Sequence, residues 1–79
     1  MKIAGHEIDT KPAEAYMAKE WGAGRRVAPC DVQFVLLSAV PDSADKHWIV
    51  AEAQRRLCQR YRKRGVCRYD REYGWWVAA

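Results

Sequence analysis

The sequence predicts an α+β domain that is mainly helical: three helices, then a C-terminal β-hairpin, with one short strand at the N-terminus. Apolar residues that recur at spacings of three and four predict the helices, and prolines and glycines stand where those stretches begin and end. Aromatic and β-branched residues on both sides of a glycine-containing turn predict the hairpin. A chain of 79 residues can bury only a small core, so residues 1–79 are interpreted as a single domain.

The N-terminal third contains a strand pattern followed by a helix pattern. MKIAGHEI fits one short strand, which Gly5 bends. A helix is predicted within residues 9–24, because Asp9 or Thr10 can cap it and Pro12 suits its first turn. The apolar residues that share one side of this helix are Ala13, Tyr16, Met17 and Trp21.

The segment APCDVQFVLLSAVP, residues 28–41, allows two interpretations. Pro29 and Asp31 are typical of a first helical turn, and the apolar residues that would then face one way are Val32, Val35, Leu36 and Ala39. The same residues are β-branched and apolar almost throughout, which also fits a buried strand. The helix is the preferred interpretation.

A third helix is predicted from about residue 44 to residue 64, with Ser43 as its N-cap and Gly65 just beyond its end. Four apolar positions fall within roughly 80° on a helical projection, namely Val50, Ala53, Leu57 and Tyr61. The opposite side carries Trp48, Glu52, Arg55, Gln59 and Arg62. The hairpin strands are then predicted at residues 66–70 and 75–78.

Positive charge is concentrated in the last part of the chain. The net charge is +4, but residues 1–50 hold six Lys or Arg against seven Asp or Glu, whereas residues 51–79 hold eight against three. The stretch QRRLCQRYRKRG alone has six basic residues and no acid. This asymmetry predicts an anionic partner for the C-terminal half.

Other features narrow the class of protein. There is no apolar run of the length that crosses a bilayer, and the N-terminus lacks a signal-peptide core, so a cytoplasmic location is expected. The three cysteines, Cys30, Cys58 and Cys67, are odd in number and widely spaced, which predicts buried free thiols without a zinc site. No catalytic motif is present, and we expect a non-enzyme with no cofactor and no metal.

The order of elements resembles the winged helix-turn-helix domain, most specifically over AQRRLCQRYRKRGVCRYDREYGWWV, residues 53–77. There an apolar-spaced helix ends in Gly-Val and leads into an aromatic hairpin. The chain is also similar to small phage and prophage proteins that begin with an I-x-G-x-x-I segment and end in an Arg-rich helix, a glycine and a Trp-containing hairpin. Two departures are the strongly apolar second helix and Trp48, which stands where a polar base-reading side chain is usual.

The resemblance implies a duplex-DNA-binding transcriptional regulator in which the third helix is the recognition helix and the hairpin is the wing. Base contacts are then expected toward the start of the third helix, from Lys46, His47, Trp48, Glu52, Arg55 and Arg56. Phosphate contacts are expected from Gln59, Arg62 and Lys63, with Arg68 and Arg71 on the wing. Arg55 and Arg56 are the strongest candidates, and the hypothesis requires Arg55, Arg56 and Arg62 to be free of carboxylates of their own chain.

Other interpretations remain open on the sequence. The basic helix face could simply be solvated. A phage protein with this basic and aromatic surface could instead bind and inhibit a host protein, for example as an anti-CRISPR-like inhibitor. RNA binding through stacking, and a homodimer, are also compatible with the composition. Trp48 is predicted to be packed under the N-terminal strand or the first helix, and Trp75 and Trp76 must point to opposite faces of their strand.

Overall fold

The structure, a computed structural model, describes residues 1–79 and confirms the predicted α+β class. In chain order the elements are β1 (Lys2–Ile3), β2 (His6–Glu7), α1 (Lys11–Gly22), α2 (Pro29–Leu36), α3 (Lys46–Lys63), β3 (Cys67–Asp70) and β4 (Trp75–Ala78), and a short 3₁₀ turn, Leu37–Ala39, extends α2. No helix combines the length and the apolar character that spanning a membrane requires.

The N-terminal segment is a two-stranded hairpin, whereas one strand was predicted. β1 and β2 are antiparallel, with Ile3 opposite His6. Ala4 and Gly5 form the turn with φ angles of 51° and 81°, the left-handed geometry that tight hairpin turns use. The hairpin forms because it turns Ile3 and Ile8 inward, where both are almost fully buried.

The first two helices begin at prolines or next to them, as the sequence predicts. At α1 the Asp9 carboxylate accepts a hydrogen bond from the backbone N–H of Lys11 at 3.1 Å. Segment 29–36 is helical, and the buried-strand interpretation is wrong. Val32 and Leu36 lie one turn apart and are buried against the other helices, so the helix satisfies its own backbone while burying its apolar side.

Helix α3 begins at Lys46, two residues later than predicted, and the Ser43 side chain does not cap it. Its buried residues are Ile49, Val50, Ala53, Gln54, Leu57 and Cys58. Gln54 is the unexpected member of this set. It accepts a hydrogen bond from the Gln33 amide at 3.1 Å and contacts Cys58 Sγ at 3.4 Å, so its polar group is satisfied inside the fold.

Gly65 ends α3 with φ at 76° and turns the chain into the hairpin. Its N–H bonds the Arg62 carbonyl at 3.0 Å, and the Val66 N–H bonds the Tyr61 carbonyl at 3.0 Å. This pair of hydrogen bonds is the Schellman motif, which requires a left-handed residue at this position. The motif fixes the direction in which β3 leaves α3.

The C-terminal hairpin is anchored through Trp76. Tyr69 lies opposite Trp76 in the β3–β4 register, so both side chains are on one face of the hairpin. Backbone N–H and C=O groups of Val27 and Trp76 pair in both directions at 2.8 Å, and Trp21 Nε1 donates to the Trp76 carbonyl at 3.3 Å. The hairpin is thereby held against the α1–α2 connection and beside α3.

Three predictions about individual side chains have clear outcomes. Trp75 and Trp76 do point to opposite faces, and Trp76 is the buried one. The prediction that Trp48 is packed is wrong, because 58% of the residue is exposed. Cys58 and Cys67 are buried free thiols, and burial raises the pKa of Cys67 to about 11, whereas Cys30 is exposed.

Candidate nucleic-acid interface

The residues predicted to bind nucleic acid fall into three groups along α3 and the hairpin. Lys46 and His47 lie in the first turn of α3, and Arg55 and Arg56 lie in its middle. The third group comprises Gln59, Arg62, Lys63, Arg68 and Arg71. Each group has a different charge environment.

The first turn of α3 offers little free charge. Lys46 Nζ forms an ion pair with the Asp42 carboxylate at 2.8 Å, and the Lys46 side chain is largely covered. His47 is exposed and lines a shallow depression together with Phe34 of α2. Trp48 follows on the outer side. This end of the helix therefore presents aromatic surface more than positive charge.

In the middle of α3, Glu52 pairs with both arginines that were expected to read bases. Its carboxylate accepts two hydrogen bonds from Arg55, at 2.6 and 3.1 Å, and lies 3.4 Å from Arg56 Nε. Arg56 also donates to the Lys2 carbonyl at 3.2 Å. The hydrogen bond from Arg55 is the main cause that lowers the pKa of Glu52, so the carboxylate stays ionised and paired at neutral pH. Arg55 and Arg56 do not meet the requirement of being free of carboxylates.

The C-terminal half of α3 and the hairpin present free positive charge. Six cations there are exposed and have no carboxylate oxygen within 4.0 Å: Arg60, Arg62, Lys63, Arg64, Arg68 and Arg71. Arg62 meets the requirement that Arg55 and Arg56 fail, since its Nε donates to the neutral Gln59 side chain at 2.8 Å. Affinity for a polyanion would therefore be greatest at this end.

An open depression between α3 and the hairpin brings part of this group together. It has a volume of about 510 Å³ and is lined by Gln59, Arg62, Tyr69, Arg71 and Trp76. Arg68 is not among these residues, because it pairs with Val77 in the register and faces the other side of the hairpin from Tyr69. We call this feature the α3–hairpin depression.

The outer face of the hairpin carries a second cationic and aromatic cluster. The Arg26 guanidinium lies 4.0 Å from the centre of the Trp75 ring, and Tyr73 stacks on Trp75 with centroids 4.9 Å apart. Arg26 is exposed and has no carboxylate partner within ion-pair distance. Arg26 thus extends the positive surface around the hairpin.

The sequence interpretation overlooked Tyr69, Trp76 and Arg26 as candidate site residues. The first two could have been found from strand periodicity. Tyr69 is two residues from Cys67 and so shares its face of the strand, and Trp76 lies opposite Tyr69 in the hairpin. Arg26 reaches the hairpin only through the tertiary contact of the α1–α2 connection with β4. No local sequence pattern predicts that contact.

Comparisons of the chain with protein-family models, with curated proteins and with solved structures found no match.

Proposed function

We propose that this chain is a small DNA-binding protein of the winged-helix kind, acting as a regulator of phage or prophage type. In this proposal it contacts duplex DNA through the C-terminal half of α3 and the C-terminal hairpin. The six exposed, unpaired cations at that end are the observation that carries the proposal. Each one that meets a phosphate releases condensed counterions, which favours binding.

The charge pattern also suggests how the protein would be oriented on DNA. Free arginines at the end of α3 and on the hairpin suit phosphate contacts, which position a protein without reading sequence. The middle of α3 offers a different kind of contact, because Arg55 donates two hydrogen bonds to Glu52 and the Arg55 side chain remains exposed. Arginine can bond guanine and a carboxylate can accept from cytosine, so this pair could read a base step.

Salt dependence of duplex binding tests the proposal. We expect the nuclease-treated protein to bind duplex DNA at low salt and to lose affinity steeply as salt rises, in proportion to the phosphates neutralised. The double variant Arg62→Gln/Arg71→Gln should flatten the log–log slope by about two units. The control Lys11→Gln/Lys19→Gln removes the same charge from α1 and should change the slope little. Absence of a complex at every salt concentration would rule out this function.

A protein partner is the second candidate, and two exposed aromatic residues favour it. Phe34 on α2 is 75% exposed and Trp48 on α3 is 58% exposed, which is unusual for side chains of this size. Aromatic residues dominate the energetics of protein interfaces. A host protein inhibited by this chain would then bind the Phe34 and Trp48 side, away from the basic end.

The two candidates are separable by one variant. Phe34→Ala/Trp48→Ala removes no charge, so it should leave the salt slope of duplex DNA binding unchanged if DNA is the partner. If a host protein is the partner, a complex recovered from nuclease-treated host lysate with the native chain should disappear with this variant. Retention of that complex by the variant would exclude the aromatic surface as the interface.

A further inference from the structure

The α3–hairpin depression differs in chemistry from a surface that meets only phosphates. Its volume of about 510 Å³ lies within the range of roughly 300–1,000 Å³ that small-ligand sites occupy. Two guanidinium groups, one amide and two aromatic rings line it, and no carboxylate does. Phosphates bind to the guanidinium groups and gain nothing from the aromatic rings. The rings therefore favour a ligand that has an apolar face as well as a negative charge.

Tyr69 supplies a supported and accessible ring. It packs edge-to-face on Trp76, with centroids 5.1 Å apart and an interplanar angle of 62°, and 43% of the residue remains exposed. Both the backbone N–H and the backbone C=O of Trp76 are hydrogen-bonded to the backbone of Val27. Across the turn, the Tyr69 hydroxyl lies beside Gly74, 3.5 Å from where a Cβ at that position would stand, which is an ordinary van der Waals distance. The ring is thus positioned before any ligand arrives.

The polar groups around Tyr69 can hold a phosphate and a base edge. Arg62 is oriented by the bond from its Nε to Gln59 Oε1 at 2.8 Å, which leaves its two terminal nitrogens for an anion. Arg71 enters the depression from the hairpin side. The Gln59 side-chain oxygen is used by Arg62. The NH₂ group of the same amide is left to donate to a base oxygen or ring nitrogen.

We propose that the α3–hairpin depression binds one unpaired nucleotide, with its base stacked on Tyr69 and its phosphates between Arg62 and Arg71. Bases inside a duplex are stacked on each other and cannot reach such a site, whereas unpaired bases stack on aromatic side chains readily. The inference rests on the proposed nucleic-acid function and adds the class of ligand to it. The preferred ligand is a duplex that ends in, or opens into, a single strand.

Binding to matched oligonucleotides tests this site. The ligands are one blunt DNA duplex and the same duplex with a single-stranded extension of about six nucleotides, made of DNA or of RNA. We expect the extension to strengthen binding by at least about fivefold, the lower end of what stacking of one base contributes. The DNA and RNA extensions show which sugar the site prefers. Equal affinity for blunt and extended duplexes would overturn the inference while leaving the duplex proposal intact.

Substitutions at Tyr69 assign the effect to the ring. Tyr69→Phe keeps the stacking surface and should retain the preference, whereas Tyr69→Leu should lose it while binding the blunt duplex as the native chain does. Tyr73→Leu is the matched control, since Tyr73 is exposed at the hairpin tip outside the depression. A preference that survives Tyr69→Leu would contradict the proposal.

A readout on the native chain avoids reliance on a variant that could fail to fold. A 2-aminopurine placed in the extension should lose fluorescence when it stacks on Tyr69, and should do so equally with Tyr69→Phe. Binding without this quenching would overturn the stacked geometry. Binding of neither duplex at any salt concentration would instead overturn the proposed function itself.

Discussion

At the scale of single residues, Glu52 decides how much of the positive charge on α3 is available. Its side chain is only 16% exposed, and it contacts both Arg55 and Arg56. Because both arginines are exposed, solvent screens these ion pairs and they add little to stability. The more important consequence is that one carboxylate offsets part of the positive charge of the two arginines in the middle of the helix.

Replacing Glu52 should therefore increase affinity for nucleic acid. In Glu52→Gln the two arginines lose their carboxylate, and we expect about three- to tenfold tighter duplex binding at low salt, with a salt slope steeper by about one to two units. The melting temperature should change little, because the lost pairs are exposed. Binding isotherms at several salt concentrations measure this change.

Glu20→Gln is the matched control, since it makes the same charge change and frees Arg25 from an exposed pair on α1. It should raise affinity less than Glu52→Gln does. Equal gains from the two variants would mean that only net charge matters and that the pairing on α3 has no specific effect.

At the scale of elements, the junction between α3 and the hairpin positions the basic end. Arg62 lies on the helix and Arg71 beyond β3, so their common depression exists only if β3 leaves α3 in one direction. The Schellman hydrogen bonds at Gly65 set that direction. Nothing lies within 4 Å of a side chain added at Gly65, so the only requirement there is the left-handed backbone.

We expect Gly65→Ala to destabilise the protein by about 1–2 kcal/mol, the cost of a left-handed conformation for a residue with a Cβ. Gly22→Ala is the control, because Gly22 also has open space around it but closes α1 with ordinary helical geometry. That control should be neutral or stabilising by up to about 1 kcal/mol. Urea unfolding of the two variants gives the comparison, and equal stabilities would show that the backbone at Gly65 is not constrained.

At the scale of the whole molecule, one core of 16 buried residues joins β1, the three helices and the C-terminal hairpin. A hydrogen bond of 2.7 Å from the Tyr61 hydroxyl to the Glu14 carboxylate ties α3 to α1 beside that core. This bond is the main cause that lowers the pKa of Glu14, assisted by the Thr10 hydroxyl and by Arg60 and Arg64. A carboxyl with a lowered pKa stabilises the fold at neutral pH and loses that contribution as pH falls.

Tyr61→Phe should therefore be less stable than the native chain by about 1 kcal/mol at neutral pH. Without the donor, the pKa of Glu14 rises toward its ordinary value, so the variant loses less stability on acidification. The gap between the two proteins should narrow between about pH 6 and pH 3. Urea unfolding across this range measures the gap.

Tyr73→Phe serves as the reference for this measurement, since the exposed Tyr73 hydroxyl makes no hydrogen bond to a carboxylate. It should match the native chain at every pH. A stability difference between Tyr61→Phe and the native chain that stays constant across the range would show that this bond does not lower the pKa of Glu14.

The order and type of the main elements, and most of the core, follow from local sequence patterns. Periodic apolar spacing, Pro12, Pro29 and Gly65 act locally, so helix and hairpin positions follow from neighbouring residues. The run of arginines at residues 54–64 also predicted a cationic helix. These features depend on contacts a few residues apart, which a sequence pattern can express.

Which side chains are exposed and which of them share a site depends on side-chain geometry and on the packing of distant segments. Glu52 pairs with arginines three and four residues further along α3. Whether its carboxylate bonds them or faces water depends on side-chain geometry. Trp48 is 58% exposed on α3, and Tyr69 shares a depression with Arg62 because Val27 and Trp21 hold Trp76 in place. The contacts around Trp76 join residues far apart in the chain, and the packing of the whole domain sets them.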